Sequence, residues 1–81
     1  MRNGEFSVFW WDPTGEHHTE KQFVDAQTAV ETSASLIKRP AAQLGMIRRV
    51  IITDGGDCTN FEWKYGEGVT FPIEAKGYEP K

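Results

Sequence analysis

The strongest hairpin pattern in the chain is MIRRVIITDGGDCTNFEWKY, residues 46–65. A run rich in β-branched side chains leads into Asp-Gly-Gly-Asp, and an aromatic run follows it. Paired glycines readily adopt the positive φ angles that a tight hairpin turn requires. The pattern therefore predicts two antiparallel strands over residues 46–53 and 58–65, with the two glycines as the loop residues.

This turn also predicts how the two strands pair. Counting outward from the glycines places Val50 opposite Phe61 on one face and Arg49 opposite Glu62 on the other. Successive side chains of a strand alternate between the faces of a sheet. We therefore expect the aromatic side of the hairpin to face a helix, and the two opposite charges to meet on the other side.

Three more strands are expected outside this hairpin. Residues 5–11 (EFSVFWW) are aromatic and β-branched, and the turn sequence DPTG follows them. Residues 16–24 are more polar, which is typical of a returning arm near a sheet edge. Residues 66–73 (GEGVTFPI) indicate a last short strand.

The clearest helix pattern begins after Asp25. Small and apolar residues recur at helical spacing from residue 26 to residue 37. Asp25 is the expected N-cap, because its carboxylate can accept hydrogen bonds from the amides of the first turn. Pro40 disfavours helical geometry at Arg39, so we expect the helix to end there and a short connection to follow.

Together these elements predict an α+β domain, an antiparallel sheet of about five strands with one helix packed on one face, in the order β-β-α-β-β-β. The domain is expected to span residues 1–73, with a polar tail at residues 74–81. One helix covers only one face of a sheet. Regular alternation then leaves one apolar group on the uncovered side, namely Phe9, Trp11, Ile47 and Ile51.

Composition narrows the classes of function. The 81 residues include 12 acidic and 9 basic side chains, a net charge of −3, which removes the global attraction that sequence-independent nucleic-acid binding requires. The single cysteine, Cys58, excludes an intrachain disulfide and a cysteine-based zinc cluster. The first residues lack an apolar leader, and no apolar run approaches the ~20 residues of a membrane span. A cytoplasmic protein without a membrane partner is expected.

The residues predict no catalytic set, cofactor or metal site. His17 and His18 are adjacent in a predicted strand and so point to opposite faces, which makes them a poor chelate. A weak metal site that recruits Glu16 or Glu20 is the alternative. The sequence contains no glycine-rich nucleotide-binding motif. A protein that is not an enzyme is therefore expected.

The first candidate binding surface is acidic. Asp54, Asp57 and Glu67 are predicted to project as an acidic rim that meets a basic protein surface. The two aspartates are equally explained by the preference of hairpin turns for Asp. A functional rim would make binding sensitive to reversal of these charges.

The second candidate surface is apolar. Trp11, with Ile47 and Ile51, is predicted to anchor a protein partner, because tryptophan is enriched in the hot spots of interfaces. The same exposed face could instead mediate a homodimer.

A basic and aromatic group on the main hairpin offers a different function. Arg48, Arg49 and Lys64, together with Trp63 and Tyr65, have the composition of a single-strand stacking platform. The acidic chain as a whole and the expected neutralisation of Arg49 oppose direct nucleic-acid binding. The alternative function is that of a small nucleic-acid-binding or regulatory protein that uses Arg48, Arg49 and Lys64 of this hairpin.

Three segments carry a resemblance to a known kind of protein, residues 23–30 (FVDAQTAV), 48–58 (RRVIITDGGDC) and 61–72 (FEWKYGEGVTFP). They resemble a family of small proteins encoded on bacterial mobile elements. The chain as a whole is similar to the short anti-CRISPR proteins, in particular to inhibitors of a type I-C Cascade effector complex. This resemblance implies a non-enzymatic inhibitor that docks on a Cas subunit and prevents target DNA from loading. It assigns no role to individual residues.

Overall fold

The computed structural model describes residues 4–56 and 58–71, so Asp57 and the predicted tail lie outside the described residues. The elements follow in the order β1 (Phe6–Trp11), β2 (His17–Val24), α1 (Ala26–Lys38), α2 (Pro40–Gln43), β3 (Arg49–Thr53), β4 (Thr59–Lys64) and β5 (Gly68–Phe71). All strand pairs are antiparallel, and the spatial order is β2-β1-β3-β4-β5. The α+β class is confirmed, and β2 lies at an edge as predicted.

Helix α1 begins and ends where its flanking residues predict. Asp25 caps it, with its Oδ1 accepting a hydrogen bond from the Thr28 amide at 2.8 Å, and the backbone becomes extended at Arg39, before Pro40. The short helix α2 was predicted only as a connection. It starts at Pro40, whose missing N–H is not needed in a first helical turn. Within the described residues, neither helix has the length and apolar character that a bilayer crossing requires.

The core lies between α1 and one face of the sheet. Ala29 and Ser33 are buried on α1, and their small side chains allow the helix to approach the strands closely. Leu36, Val8 and Val50 are fully enclosed. The buried apolar cluster consists of Val8, Ala29, Leu36, Ile37, Ala42, Ile47, Val50, Ile52, Trp63 and Val69.

The predicted register of β3 and β4 is wrong by two residues. Val50 lies opposite Trp63 rather than Phe61. The turn is the cause, because the Asp54 amide donates to the Cys58 carbonyl, and the Asp54 carboxylate accepts from backbone amides two and four residues later. The loop is therefore longer than the two glycines. A shift of two residues keeps every side chain on its face, which is why Trp63 is still in the core.

The third strand starts later than predicted, and this corrects the position of Ile47. The strand begins at Arg49 rather than at residue 46, because α2 and a turn at Gly45, where φ is 84°, precede it. Strand alternation therefore does not extend back to Ile47. Ile47 is 3% exposed and belongs to the core instead of the uncovered face.

Candidate functional site

The face of the sheet away from α1 carries the candidate site. Strand pairing aligns Phe9 with Ile51 and Trp11 with Arg49, while the core and α1 lie on the other side. Among the elements described, none packs over this face. We call it the open face and define it by seven side chains, Phe9, Trp11, His17, Arg49, Ile51, Glu62 and Lys64.

A continuous row of side-chain contacts crosses the open face from one sheet edge to the other. Thr70 Oγ1 donates to Glu62 Oε1 at 2.7 Å, and Arg49 Nε donates to Glu62 Oε2 at 2.6 Å. The Arg49 guanidinium lies 4.5 Å from the centroid of the Trp11 ring, and that ring lies 5.8 Å from the His17 ring. Each strand contributes one residue to this transverse row. The row therefore restrains the side chains that a partner would meet.

Glu62 carries the negative charge at the centre of the transverse row. Burial alone raises the pKa of Glu62. The hydrogen bonds from Thr70 and Arg49 and the charge of Arg49 lower the pKa by more than burial raises it, so the pKa lies below its ordinary value. Glu62 is therefore ionised at neutral pH. The predicted position of Arg49 directly opposite Glu62 is wrong, because Arg49 lies opposite Lys64. The two opposite charges nevertheless meet on the expected face, in a diagonal ion pair.

The apolar centre of the open face keeps two of the three predicted anchor residues. Trp11 is partly exposed, whereas Ile51 is only 7% exposed although no helix lies above it. Ile51 is flanked in register by Phe9 and Glu62. The Phe9 ring, also partly exposed, meets the His17 ring edge-on at 6.2 Å. Trp11 and Phe9 are therefore the side chains that a partner would contact first.

The predicted acidic rim is not a single surface in the described part of the chain. Asp54 follows β3, whereas Glu67 lies between β4 and β5, so the two carboxylates are at opposite ends of β4. Asp57 lies outside the described residues. The nearby Asn60 side-chain amide and hydrogen bonds from two backbone amides of the turn lower the pKa of Asp54. Its carboxylate thus has a structural role in the turn.

A different acidic group was missed by the sequence reasoning. Glu5 precedes β1, Asp25 follows β2 and Asp54 follows β3, so the antiparallel pairing brings all three to one end of the sheet. A Cβ added at Gly55 would lie 3.4 Å from the Glu5 Cβ, so the start of β1 adjoins the β3–β4 turn. We call Glu5, Asp25 and Asp54 the acidic end. The strand order, once known, is the signal that identifies it.

The opposite end of the sheet contains the predicted basic hairpin residues. The Arg48 guanidinium lies 4.9 Å from the Tyr65 ring centroid, while Arg49 lies on the open face opposite Lys64. We call Arg48, Arg49 and Lys64 the basic end. Arg49 is already neutralised by its ion pair, and Trp63, 6% exposed in the core, is not accessible to a nucleotide base.

The turn between β1 and β2 forms a second polar cluster. Asp12 Oδ1 accepts hydrogen bonds from the Thr14 amide at 2.9 Å, the Thr14 hydroxyl at 2.6 Å and the Glu16 amide at 3.1 Å. His18 Nε2 lies 2.9 Å from Asp12 Oδ2, and the Trp10 ring stacks on His18. The hydrogen bonds with His18 and Thr14 hold the pKa of Asp12 well below its usual range. Sequence reasoning missed Asp12 because only the folded turn brings it to His18.

An apolar groove of about 510 Å³ lies on the core side of the sheet. Val30 and Ile37 of α1 line one wall, and Phe6, Ile52 and Phe61 of the sheet line the other. The groove forms because α1 packs over β1, β2 and β3 and leaves the adjoining part of β4 open.

Comparison of the chain with protein-family models, with curated proteins and with solved structures gave no match.

Proposed function

We propose that this protein is a non-enzymatic inhibitor that binds a CRISPR-Cas effector complex of the Cascade type and keeps target DNA from binding. The observation that supports a binding role is the open face, on which Trp11 and Phe9 are partly exposed. Tryptophan is strongly enriched among the residues that dominate interface energetics. The choice of Cascade as the partner comes from the resemblance to short anti-CRISPR proteins.

The transverse row supports a preformed binding surface. Arg49 is held by Glu62 and by the Trp11 ring, and Glu62 is also held by Thr70. Side chains that are already ordered lose less conformational freedom when a partner binds. The open face is therefore suited to a rigid protein surface.

The acidic end supports action at a DNA-binding site. A Cas surface that holds DNA phosphates is basic, and carboxylates grouped at one end of this protein complement it. Hydrogen bonds from Thr28 lower the pKa of Asp25, and the nearby Asn60 amide with two backbone hydrogen bonds lowers the pKa of Asp54. Both groups are therefore charged at neutral pH.

Size-exclusion chromatography with a purified type I-C Cascade complex tests the proposal directly. The protein is expected to co-elute with Cascade and to reduce the binding of target DNA to it. Separate elution at micromolar concentrations, with DNA binding unchanged, would contradict the proposal. Competition between the protein and target DNA would support occupation of the DNA site.

Substitution of Trp11 tests the open face. Trp11→Ala is expected to weaken the affinity for Cascade by about 30-fold, the loss typical of a hot-spot residue. Leu44→Ala is the matched control, because Leu44 is 77% exposed and lies beside α2, outside the open face. Equal effects of the two substitutions would mean that the open face is not the contact. Circular dichroism of both variants checks that the fold is intact.

A pair of charge substitutions tests the acidic end. Asp25→Asn with Asp54→Asn removes two charges while the side-chain oxygens still cap α1 and the turn. This variant is expected to associate more slowly with Cascade and to lose part of its salt dependence. Glu31→Gln with Glu67→Gln removes two charges elsewhere and is the control. Identical association rates for the two variants would exclude a role for the acidic end.

Direct nucleic-acid binding is the second candidate function, supported by the basic end and by Trp11 beside Arg49. Filter binding of single-stranded DNA at two salt concentrations separates it from the first. The inhibitor proposal expects no binding at physiological salt. Affinity that falls steeply with salt, and that rises when Glu62→Gln frees Arg49, would favour the nucleic-acid function instead.

A further inference from the structure

We propose that the β1–β2 turn is a binding site for one divalent transition-metal ion, such as Zn²⁺ or Ni²⁺. The ligands are His18 Nε2, Asp12 Oδ2 and one carboxylate oxygen of Glu16. Ligand atoms of these three residues all lie within 4.8 Å of one another. The site is at the edge of the sheet and independent of the proposed Cascade contact.

The first two ligands are already close to the spacing of metal coordination. His18 Nε2 and Asp12 Oδ2 are 2.9 Å apart. Two ligand atoms that each lie about 2.0–2.1 Å from a zinc ion are separated by about 3.3 Å at the tetrahedral angle that zinc prefers, so a separation wider by a few tenths of an ångström admits the ion. Glu16 is exposed, so rotation of its side chain is enough to complete the set.

Neighbouring residues orient both Asp12 and His18. Hydrogen bonds from Thr14 and from the Glu16 amide all go to Asp12 Oδ1, which orients the carboxylate with Oδ2 towards His18. The His18 ring is stacked on Trp10 with a centroid separation of 4.3 Å and an interplanar angle of 21°. Outer-sphere contacts of this kind orient ligands and reduce the ordering cost of binding a metal.

The ligand types favour a transition metal over calcium or magnesium. An imidazole nitrogen suits zinc and nickel, whereas calcium and magnesium prefer oxygen ligands throughout. One imidazole and two carboxylates leave further coordination positions for water. The metal replaces the proton that lies between His18 and Asp12. If the ring is an imidazolium, that proton passes to solvent. If the ring is neutral, the proton moves from Nε2 to Nδ1.

Calorimetric titration of the chelator-treated, untagged full chain with ZnCl₂ at neutral pH tests the site. Saturable binding of one ion per chain is expected, and His18→Ala should weaken it by about ten-fold or more. His17→Ala is the matched control, because the neighbouring ring lies on the open face. Absence of saturable binding, or an equal loss in both histidine variants, would overturn the proposal.

Two further variants keep the test informative if His18→Ala unfolds. Asp12→Asn retains an oxygen for the turn hydrogen bonds but replaces the metal-facing oxygen with an amide nitrogen, so zinc affinity should fall while circular dichroism is unchanged. Glu16→Gln should also weaken binding, and an unaltered affinity would overturn the three-ligand site. In a parallel titration, Ni²⁺ should quench the fluorescence of the stacked Trp10, and Trp10→Phe should remove that component of the quenching.

Discussion

Phe23 has a backbone conformation that a bulky side chain does not favour. Its φ is 57°, next to the irregular pairing between the start of β1 and the end of β2. A positive φ costs a residue other than glycine about 1–2 kcal/mol. The side chain repays little of this cost through packing, because the residue is 71% exposed. Replacing Phe23 with glycine should therefore stabilise the fold.

The expected gain is the difference between two terms. Phe23→Gly removes the strain of about 1–2 kcal/mol, but it gives the unfolded chain extra freedom worth about 0.5–1 kcal/mol. The variant should therefore be more stable by about 0.5–1 kcal/mol, a rise in Tm of roughly 2–8 °C for a domain of this size. Phe23→Ala is the control, because alanine keeps the strain and loses the same ring.

Urea denaturation measures the difference, provided that the slope of the unfolding free energy is the same in all variants. The glycine variant should have the highest denaturation midpoint, and the alanine variant should be close to the wild type. A glycine variant no more stable than the alanine variant would refute the reasoning. It would show that the positive φ at Phe23 carries no strain in solution.

Three other predictions concern the row, the core and the β1–β2 turn. A double-mutant cycle with Arg49→Met and Glu62→Gln should give a coupling free energy of about 1 kcal/mol. This coupling should shrink in 1 M salt, because the Arg49 side chain is 37% exposed. Absence of coupling at low salt would contradict the ion pair. Leu36→Ala should cost about 2–5 kcal/mol in urea denaturation, since Leu36 is fully buried. The pKa of Asp12 is lowered by folding, so its contribution is present above the unfolded pKa of about 3.9 and is lost as the pH falls below it. Asp12→Asn should therefore flatten the loss of stability between about pH 5 and pH 2, and an unchanged profile would contradict the shift.

The features that local chemistry controls were predicted from the sequence. Asp25 and Pro40 delimit α1 through capping and a steric restriction, and neither depends on the rest of the fold. The hairpin itself was also predicted, but its register was not. A side-chain hydrogen bond at Asp54 closes a longer turn than the glycine pair indicates, and strand periodicity alone does not reveal that bond.

The candidate site likewise contains some features that the sequence predicts and others that it does not. Alternation along β1 correctly placed Trp11 on the uncovered face, because a regular strand preserves it. Alternation failed for Ile47, which lies before the regular part of β3. The acidic end and the cluster at Asp12 were not predicted, since they depend on which strand ends become neighbours and on the geometry of a turn.

The grouping of Glu5, Asp25 and Asp54 distributes the charge of this small protein unevenly along its strands. At the opposite end, Asp12 and Glu16 of the β1–β2 turn and Glu67 between β4 and β5 accompany the basic residues, so that end carries charges of both signs. A net charge of −3 therefore describes the behaviour of the protein poorly at short range. At low ionic strength, the acidic end turns towards a polycation. At about 0.1 M salt the screening length falls to about 10 Å, shorter than the sheet, and this orientation weakens. Retention on an anion exchanger that falls steeply as salt is added is the behaviour that this charge distribution implies.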